Sequence, residues 1–229
     1  MGWKAFAIII NKPRQVDNEI LLNELCFEGI TKIKDEQFDV AINPDDNTVY
    51  IGSYKDNLLV CTPEIPMLFF EDYETQAEHA VNRLFPNSEI CSFVLHSVVN
   101  LWGYSVIKNG KKIRTRAGSA NDGTFIEEGN PLDEEKDLLS KSRLDDSGKR
   151  IYVFDDSPDE VFSEDQVGEN FVFSICKRYF DEELDSADDS LFETILSGYR
   201  YEKISETMLN KNKQEINTIV CGKPWWKFW

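Results

Sequence analysis

The residues of this chain that could carry chemistry are one histidine and two arginines around a predicted hairpin. His96 lies within an apolar run, and Arg114 and Arg116 lie on the strand that is predicted to follow the turn. A histidine close to serines could be the base of a nucleophilic triad. No G-x-S-x-G turn accompanies it, so a histidine hydrogen-bonded within the fold is favoured. We therefore predict no catalytic residue.

The hairpin itself is predicted from Asn109-Gly110, the dipeptide preferred by a two-residue type I′ turn. A regular ladder around this turn gives the pairs Lys108–Lys111, Val106–Ile113, Tyr104–Thr115 and Trp102–Ala117.

In this register Trp102 and Tyr104 face one side of the ribbon, and Lys112, Arg114 and Arg116 face the other. Two hypotheses follow for the basic face. Either its arginines pair with carboxylates of the same protein, or they line a ligand pocket beside the hairpin. The ligand-binding residues of the second hypothesis are His96, Arg114 and Arg116.

Negative charge is concentrated in residues 155–189, which contain thirteen acidic residues against Lys177 and Arg178. Carboxylates can hold a hard cation, but this segment lacks the register of an EF-hand loop, so a solvated acidic loop is favoured and no metal site is predicted. A surface of this kind suits a basic protein partner. The predicted partner-binding carboxylates are Asp155, Asp156, Asp159 and Glu160.

The C-terminal tail, residues 223–229, is rich in aromatic residues. So much aromatic surface would be adhesive if it stayed exposed. We expect the tail either to dock on its own domain, which is favoured, or to insert into another chain, where tryptophan is a common anchor. The residues assigned to partner binding here are Trp225, Trp226, Phe228 and Trp229.

Composition narrows the class of protein. The chain has 229 residues, 41% of them hydrophobic, and a formal net charge of −17. Such an excess of acid argues against nucleic acid as a partner, although a solvated acidic surface without a specific role is the plain alternative. No apolar run approaches the roughly 20 residues of a membrane span. Five scattered cysteines without C-x-x-C spacing indicate buried, reduced thiols, and we predict a cytoplasmic protein without a cofactor.

Predicted strands cluster as hairpins, with helices between and after them. Residues 4–10 are predicted to form a buried central strand, and either Asp17 or Asn18 is predicted to cap a helix that continues to about Glu28. Two capping boxes, at Ser163 and Ser190, are predicted to open helices. We therefore predict an α+β fold with a largely antiparallel sheet of hairpins, in one domain of residues 1–222 followed by the tail.

Several short motifs resemble an uncharacterised bacterial family, a domain of unknown function. They are Met1-Gly2-Trp3-Lys4, Tyr104-x-Val106, Asn109-Gly110-x-x-x-Arg114 and Glu128-Gly129-x-Pro131-Leu132-x-x-Glu135. Hairpin-then-helix segments of this kind also occur in small proteins that resemble bacterial toxin-immunity proteins. The resemblance implies no catalytic residues.

Two functional hypotheses remain from the sequence. The first is a non-enzymatic, immunity-like interaction protein whose acidic surface meets a basic partner. The alternative is an enzyme or small-molecule-binding domain with its pocket beside the hairpin. Because the sequence has no nucleophile elbow, metal-ligand spacing or phosphate-binding loop, the first is favoured.

Overall fold

A computed structural model describes residues 2–209 of the chain. The strands in this range are β1 (Lys4–Asn11), β2 (Phe27–Glu28), β3 (Thr31–Lys32), β4 (Glu36–Gln37), β5 (Thr48–Tyr54), β6 (Asn57–Cys61), β7 (Glu89–His96), β8 (Leu101–Lys108), β9 (Lys111–Ser119), β10 (Gly123–Gly129), β11 (Ser142–Leu144), β12 (Arg150–Phe154), β13 (Ser157–Ser163), β14 (Ile195–Arg200) and β15 (Lys203–Ile204). The α-helices are α1 (Asn18–Glu24), α2 (Phe38–Ala41), α3 (Gln76–Leu84), α4 (Lys136–Ser140), α5 (Glu164–Phe180), α6 (Asp189–Phe192) and α7 (Glu206–Leu209). Short 3₁₀ helices cover Ile65–Phe70, Ser97–Val99, Asp133–Glu135 and Leu184–Ser186.

One large antiparallel sheet dominates the fold, in the order β10-β9-β8-β7-β1-β6-β5-β14-β3, with β4 also paired to β14. Two smaller sheets accompany it, β11-β12-β13 and β15-β2. Helices pack on both faces of the large sheet, so the predicted α+β class is confirmed. No helix within residues 2–209 is long and apolar enough to cross a bilayer.

The middle of the sheet is β1, whose residues from Ala5 to Ile10 are buried. Its odd-numbered side chains join a core beneath α5, and its even-numbered side chains join cores beneath α1, α3 and the 3₁₀ helix Ile65–Phe70. Burial on both faces explains the continuous apolar run, which was correctly read as a central strand.

Two predicted helices are shorter than expected. Asp17 does cap α1, but the helix ends at Glu24 rather than near Glu28, because Cys26 takes a positive φ of 58° and the chain continues into β2. The predicted capping box at Ser190 is wrong, because α6 begins at Asp189, with Asp188 before it, and ends at Phe192. Ile195 then begins β14, where it pairs with Gln37 of β4 and its side chain is exposed.

The acidic segment also differs from prediction. It is preceded by a 3₁₀ turn that begins at Asp133, with Leu132 at its N-cap position. Residues 157–163, expected as a solvated loop, form the edge strand β13. The capping box at Ser163 is confirmed, because the Ser163 amide donates to Gln166 at the start of α5.

The turn at Asn109-Gly110 is confirmed, but the predicted register is wrong beyond it. Lys108 pairs with Lys111 as expected, and Ile107 pairs with Lys112. Ile113 is then an extra residue on β9, which shifts every later pair by one. A β-bulge of this kind exchanges the two faces of the bulged strand.

Because of the bulge, Arg114 and Arg116 lie on the same face as Trp102 and Tyr104 rather than opposite to them. The observed pairs are Val106–Arg114, Ser105–Thr115, Tyr104–Arg116, Gly103–Ala117 and Trp102–Gly118.

A buried carboxylate ties α3 to the hairpin. Glu78 closes a capping box with Thr75, and its other oxygen lies 2.7 Å from Nζ of Lys112 on β9. The Glu78 side chain is 2% exposed. Burial raises the pKa of Glu78 to about 7, and the ion pair with Lys112 offsets that effect only in part.

This raised pKa predicts how stability changes with pH. A carboxyl whose folded pKa exceeds its unfolded value stabilises the fold when protonated, so its contribution is full below about pH 4.5 and is lost as pH rises through about 7. Relative to Glu78→Gln, the wild type should lose up to about 3 kcal/mol of unfolding free energy over that window. Urea unfolding at a series of pH values measures this difference. Glu19→Gln, an exposed first-turn residue of α1, is the control, and parallel curves for wild type and Glu78→Gln would contradict the assignment.

Candidate functional site

Arg114 is an internal side chain, 1% exposed, that forms a fork with a buried carboxylate. Its Nε donates to Glu135 at 2.9 Å and its Nη2 donates to the other oxygen of Glu135 at 2.6 Å. Glu135 is itself fully buried, and it also accepts the Leu132 amide. Arg114 further donates to Glu127 and to the Gly129 carbonyl. Every nitrogen of this guanidinium therefore has an acceptor within the protein.

Arg116 is also buried and reaches the first turn of α5. Its guanidinium pairs with Glu164 and donates to the hydroxyl of Tyr152 at 3.3 Å. The plane lies over the ring of Phe171, 4.2 Å from its centroid, and 5.3 Å from that of Trp102. An arginine between aromatic faces gains cation–π attraction in addition to its ion pair.

We call these five side chains, Arg114, Arg116, Glu127, Glu135 and Glu164, the buried arginine cluster. Burial lowers the pKa of Arg114, but its hydrogen bonds to Glu135 and Glu127 outweigh burial and raise that pKa overall. Burial likewise raises the pKa of Glu127, but Arg116 and Arg114 hold it below its usual range. Each charge is therefore compensated inside the fold, and the cluster joins β9, β10, α5 and the 3₁₀ helix Asp133–Glu135.

His96 is not part of this cluster. It ends β7 with its side chain on the opposite face of the sheet, because Phe93 and Leu95 are the β7 residues that face Tyr104 and Trp102. Burial and the nearby Lys4 lower the pKa of His96. The three residues of the predicted pocket are thus brought to two different faces, with the arginines paired to the protein's own carboxylates.

The predicted acidic surface lies on the hairpin of β12 and β13. Asp155 and Asp156 form its turn, and Asp159 and Glu160 lie on β13, the edge strand of its sheet. All four residues are exposed, and none has an ion-pair partner within residues 2–209. We call these four residues the acidic hairpin. All four lie on one β-hairpin, although the consecutive Asp159 and Glu160 point to opposite faces of β13.

A second acidic feature is a cleft of about 570 Å³ beside α5. Its charged lining includes Lys177 and Arg178, but Arg178 is engaged by Glu89 and Glu134. The acidic residues of the cleft are Asp133, Glu134, Asp137, Glu183 and Asp185. Nowhere in the described range do three histidine, cysteine, aspartate or glutamate side chains form a group that could hold a metal ion.

The carboxylates of the buried arginine cluster were missed as a set by sequence reasoning. Glu127, Glu135 and Glu164 lie on three different elements, and no short sequence pattern connects them to Arg114 and Arg116. One signal was available for Glu135, since it lies three residues after Leu132 at the start of a helical turn, where a glutamate side chain commonly turns back to the backbone. The aromatic tail, including Trp225, Trp226, Phe228 and Trp229, lies outside the described residues.

Comparison with known proteins gives one match. The model of a family of unknown function, DUF6928, matches residues 20–146, more than half of the chain. This confirms the predicted resemblance to a family of unknown function. No curated protein and no solved structure matches the chain. The matched range includes Arg114, Arg116 and Glu135 and ends before the acidic hairpin.

The fork between Arg114 and Glu135 predicts a large stability effect. Removing the buried carboxylate leaves Arg114 with only the more exposed Glu127 as a counter-charge, so Glu135→Gln should lower the unfolding free energy by roughly 3 kcal/mol. Glutamine can still accept the hydrogen bond from the Leu132 amide, so the loss of unfolding free energy measures the effect of removing the charge. Glu128→Gln, an exposed neighbour of the cluster, should change stability by less than about 0.5 kcal/mol. Equal denaturation midpoints for the two variants would show that the cluster does not stabilise the fold.

Proposed function

We propose that this chain, which belongs to the DUF6928 family of unknown function, is a non-enzymatic protein that binds a basic protein partner. The observation that carries the proposal is the acidic hairpin. Its four carboxylates, two in the turn and two on the edge strand β13, are exposed and lack ion-pair partners within the described range.

The distribution of arginines supports this proposal. Arg114 and Arg116 are buried and neutralised by Glu135 and Glu164 inside the fold. Their positive charges therefore lie inside the fold, whereas the carboxylates of the acidic hairpin face solvent. A partner with lysine and arginine on its surface would supply the missing counter-charges.

Electrostatic recognition of this type acts mainly on the association rate and on specificity. Exposed charges more than about 8 Å apart are screened at physiological ionic strength, so the interaction should weaken as salt increases. The acidic cleft beside α5 is within the size range of ligand clefts, about 300–1,000 Å³. An immunity-like role in the cytoplasm is the form of this function that we favour.

The alternative pocket beside the hairpin has no observation in its favour. It requires Arg114, Arg116 and His96 to converge on a ligand, and these residues lie on two faces of the sheet. We therefore propose no enzymatic reaction.

The proposal is tested by neutralising the acidic hairpin in the full chain. The variant Asp155→Asn/Asp156→Asn/Asp159→Asn/Glu160→Gln and the wild type are used as baits in cell extract, at about 50 mM and about 150 mM salt. We expect the wild type to capture a basic protein and the variant to capture at least about tenfold less of it.

A second fourfold variant controls for net charge. Asp39→Asn/Asp45→Asn/Asp46→Asn/Glu193→Gln removes the same charge from exposed positions elsewhere. It should capture the same protein as the wild type does. Equal losses in both variants would mean that capture depends on total charge alone, and no captured protein at either salt concentration would refute the proposal.

A further inference from the structure

A second surface, distinct from the acidic hairpin, combines apolar and acidic side chains at the β10 edge of the large sheet. A groove of about 590 Å³ lies there between β10 and the end of the 3₁₀ helix Ile65–Phe70. Its floor consists of Phe70 and the half-buried Phe125 and Ile126. We call this cavity the edge groove.

All the charged residues on the rim of the edge groove are acidic. They include the exposed Asp72, Asp122 and Glu128, and no lysine or arginine in the described part of the chain lines the groove. An apolar floor with an anionic rim suits a ligand that carries both aromatic rings and positive charge. A purely polar basic segment would leave the floor unused.

The C-terminal segment of this chain has that chemistry. Residues 210–229 contain four lysines and one glutamate, whereas residues 1–209 carry a large acidic excess. Lys223 and Lys227 stand beside Trp225, Trp226 and Trp229. Tryptophan rings bury large apolar areas, and lysines beside them can meet the carboxylates of a rim.

The described chain also ends on the correct face of the sheet. Leu209 and Met208 of α7 pack against the core beneath α1 and α3. The 3₁₀ helix Ile65–Phe70 contributes side chains both to that core and to the core under the edge groove. The even-numbered residues of β1 belong to the same two cores, so both lie on one face.

The length of the remaining chain is sufficient. Between Leu209 and Trp225 lie fifteen residues, which can span up to roughly 50 Å when extended. Both α7 and the 3₁₀ helix contact α3, whose nine residues are only about 13 Å long. Covalent attachment also gives the tail an effective local concentration in the millimolar range, which favours it over a dilute partner.

We propose that the aromatic tail, residues 223–229, docks into the edge groove of its own chain. Tryptophan side chains would cover Phe125 and Ile126, and Lys223 and Lys227 would pair with the carboxylates of the rim. This inference is independent of the acidic hairpin.

Zero-length carbodiimide coupling of the full-length wild-type protein tests the proposal, because it joins lysines only to carboxylates in direct contact. We expect peptides that link Lys223 or Lys227 to Asp72, Asp122 or Glu128. A mixture of isotopically labelled and unlabelled protein separates links within one chain from links between two chains. The double variant Trp225→Ala/Trp226→Ala should reduce these links at least about tenfold, since the rings supply the apolar contact.

A groove variant and a matched control complete the experiment. Ile126→Ser should reduce the links as well, whereas Ile195→Ser, an exposed isoleucine on β14, should not. Links to the rim that occur only between labelled and unlabelled chains would overturn the proposal in favour of a second copy. Links spread over the acidic hairpin and other carboxylates, or no links from these lysines, would overturn it as well.

Discussion

The placement of two arginines inside the protein is the constraint on which much of this structure depends. A guanidinium cannot lose its charge at neutral pH, so burying it requires carboxylates at fixed positions. Arg114 and Arg116 take theirs from β10, from the 3₁₀ helix Asp133–Glu135 and from the first turn of α5. Those elements are held against the sheet by ionic hydrogen bonds as well as by apolar packing. A shift of any one of them would leave a buried charge unpaired.

A single inserted residue produces this arrangement. With a regular ladder, Arg114 and Arg116 would lie on the face opposite Tyr104, as the alternation of the sequence predicts. The bulge at Ile113 reverses the faces and turns both arginines toward α5. A turn is determined by neighbouring residues, so it could be predicted from Asn109-Gly110. A bulge depends instead on what the strand packs against. The sequence alone therefore identified the hairpin and misplaced its charges.

The same distinction between local sequence patterns and contacts distant in sequence explains which of the other predictions were correct and which were wrong. The central strand β1 and the cap of α5 follow from short patterns, and both were predicted correctly. β13 and β14 were not predicted, because each becomes a strand through its pairing with β12 or β5. The carboxylates of the buried arginine cluster were not predicted for the same reason, since Glu127 and Glu164 are brought together only by the fold.

Inward-facing arginines also change how the net charge of the chain should be interpreted. A net charge of −17 could be spread evenly over the surface, with each basic residue close to an acidic one. Here Arg114, Arg116 and Arg178 are engaged with carboxylates at buried or half-buried positions, so their charges do little to neutralise the solvent-facing acids of the β12–β13 hairpin. Field strength at a surface depends on where opposite charges lie and not only on their sum. The fold uses several of its arginines for internal stability, and the four carboxylates of the acidic hairpin have no ion-pair partner within residues 2–209.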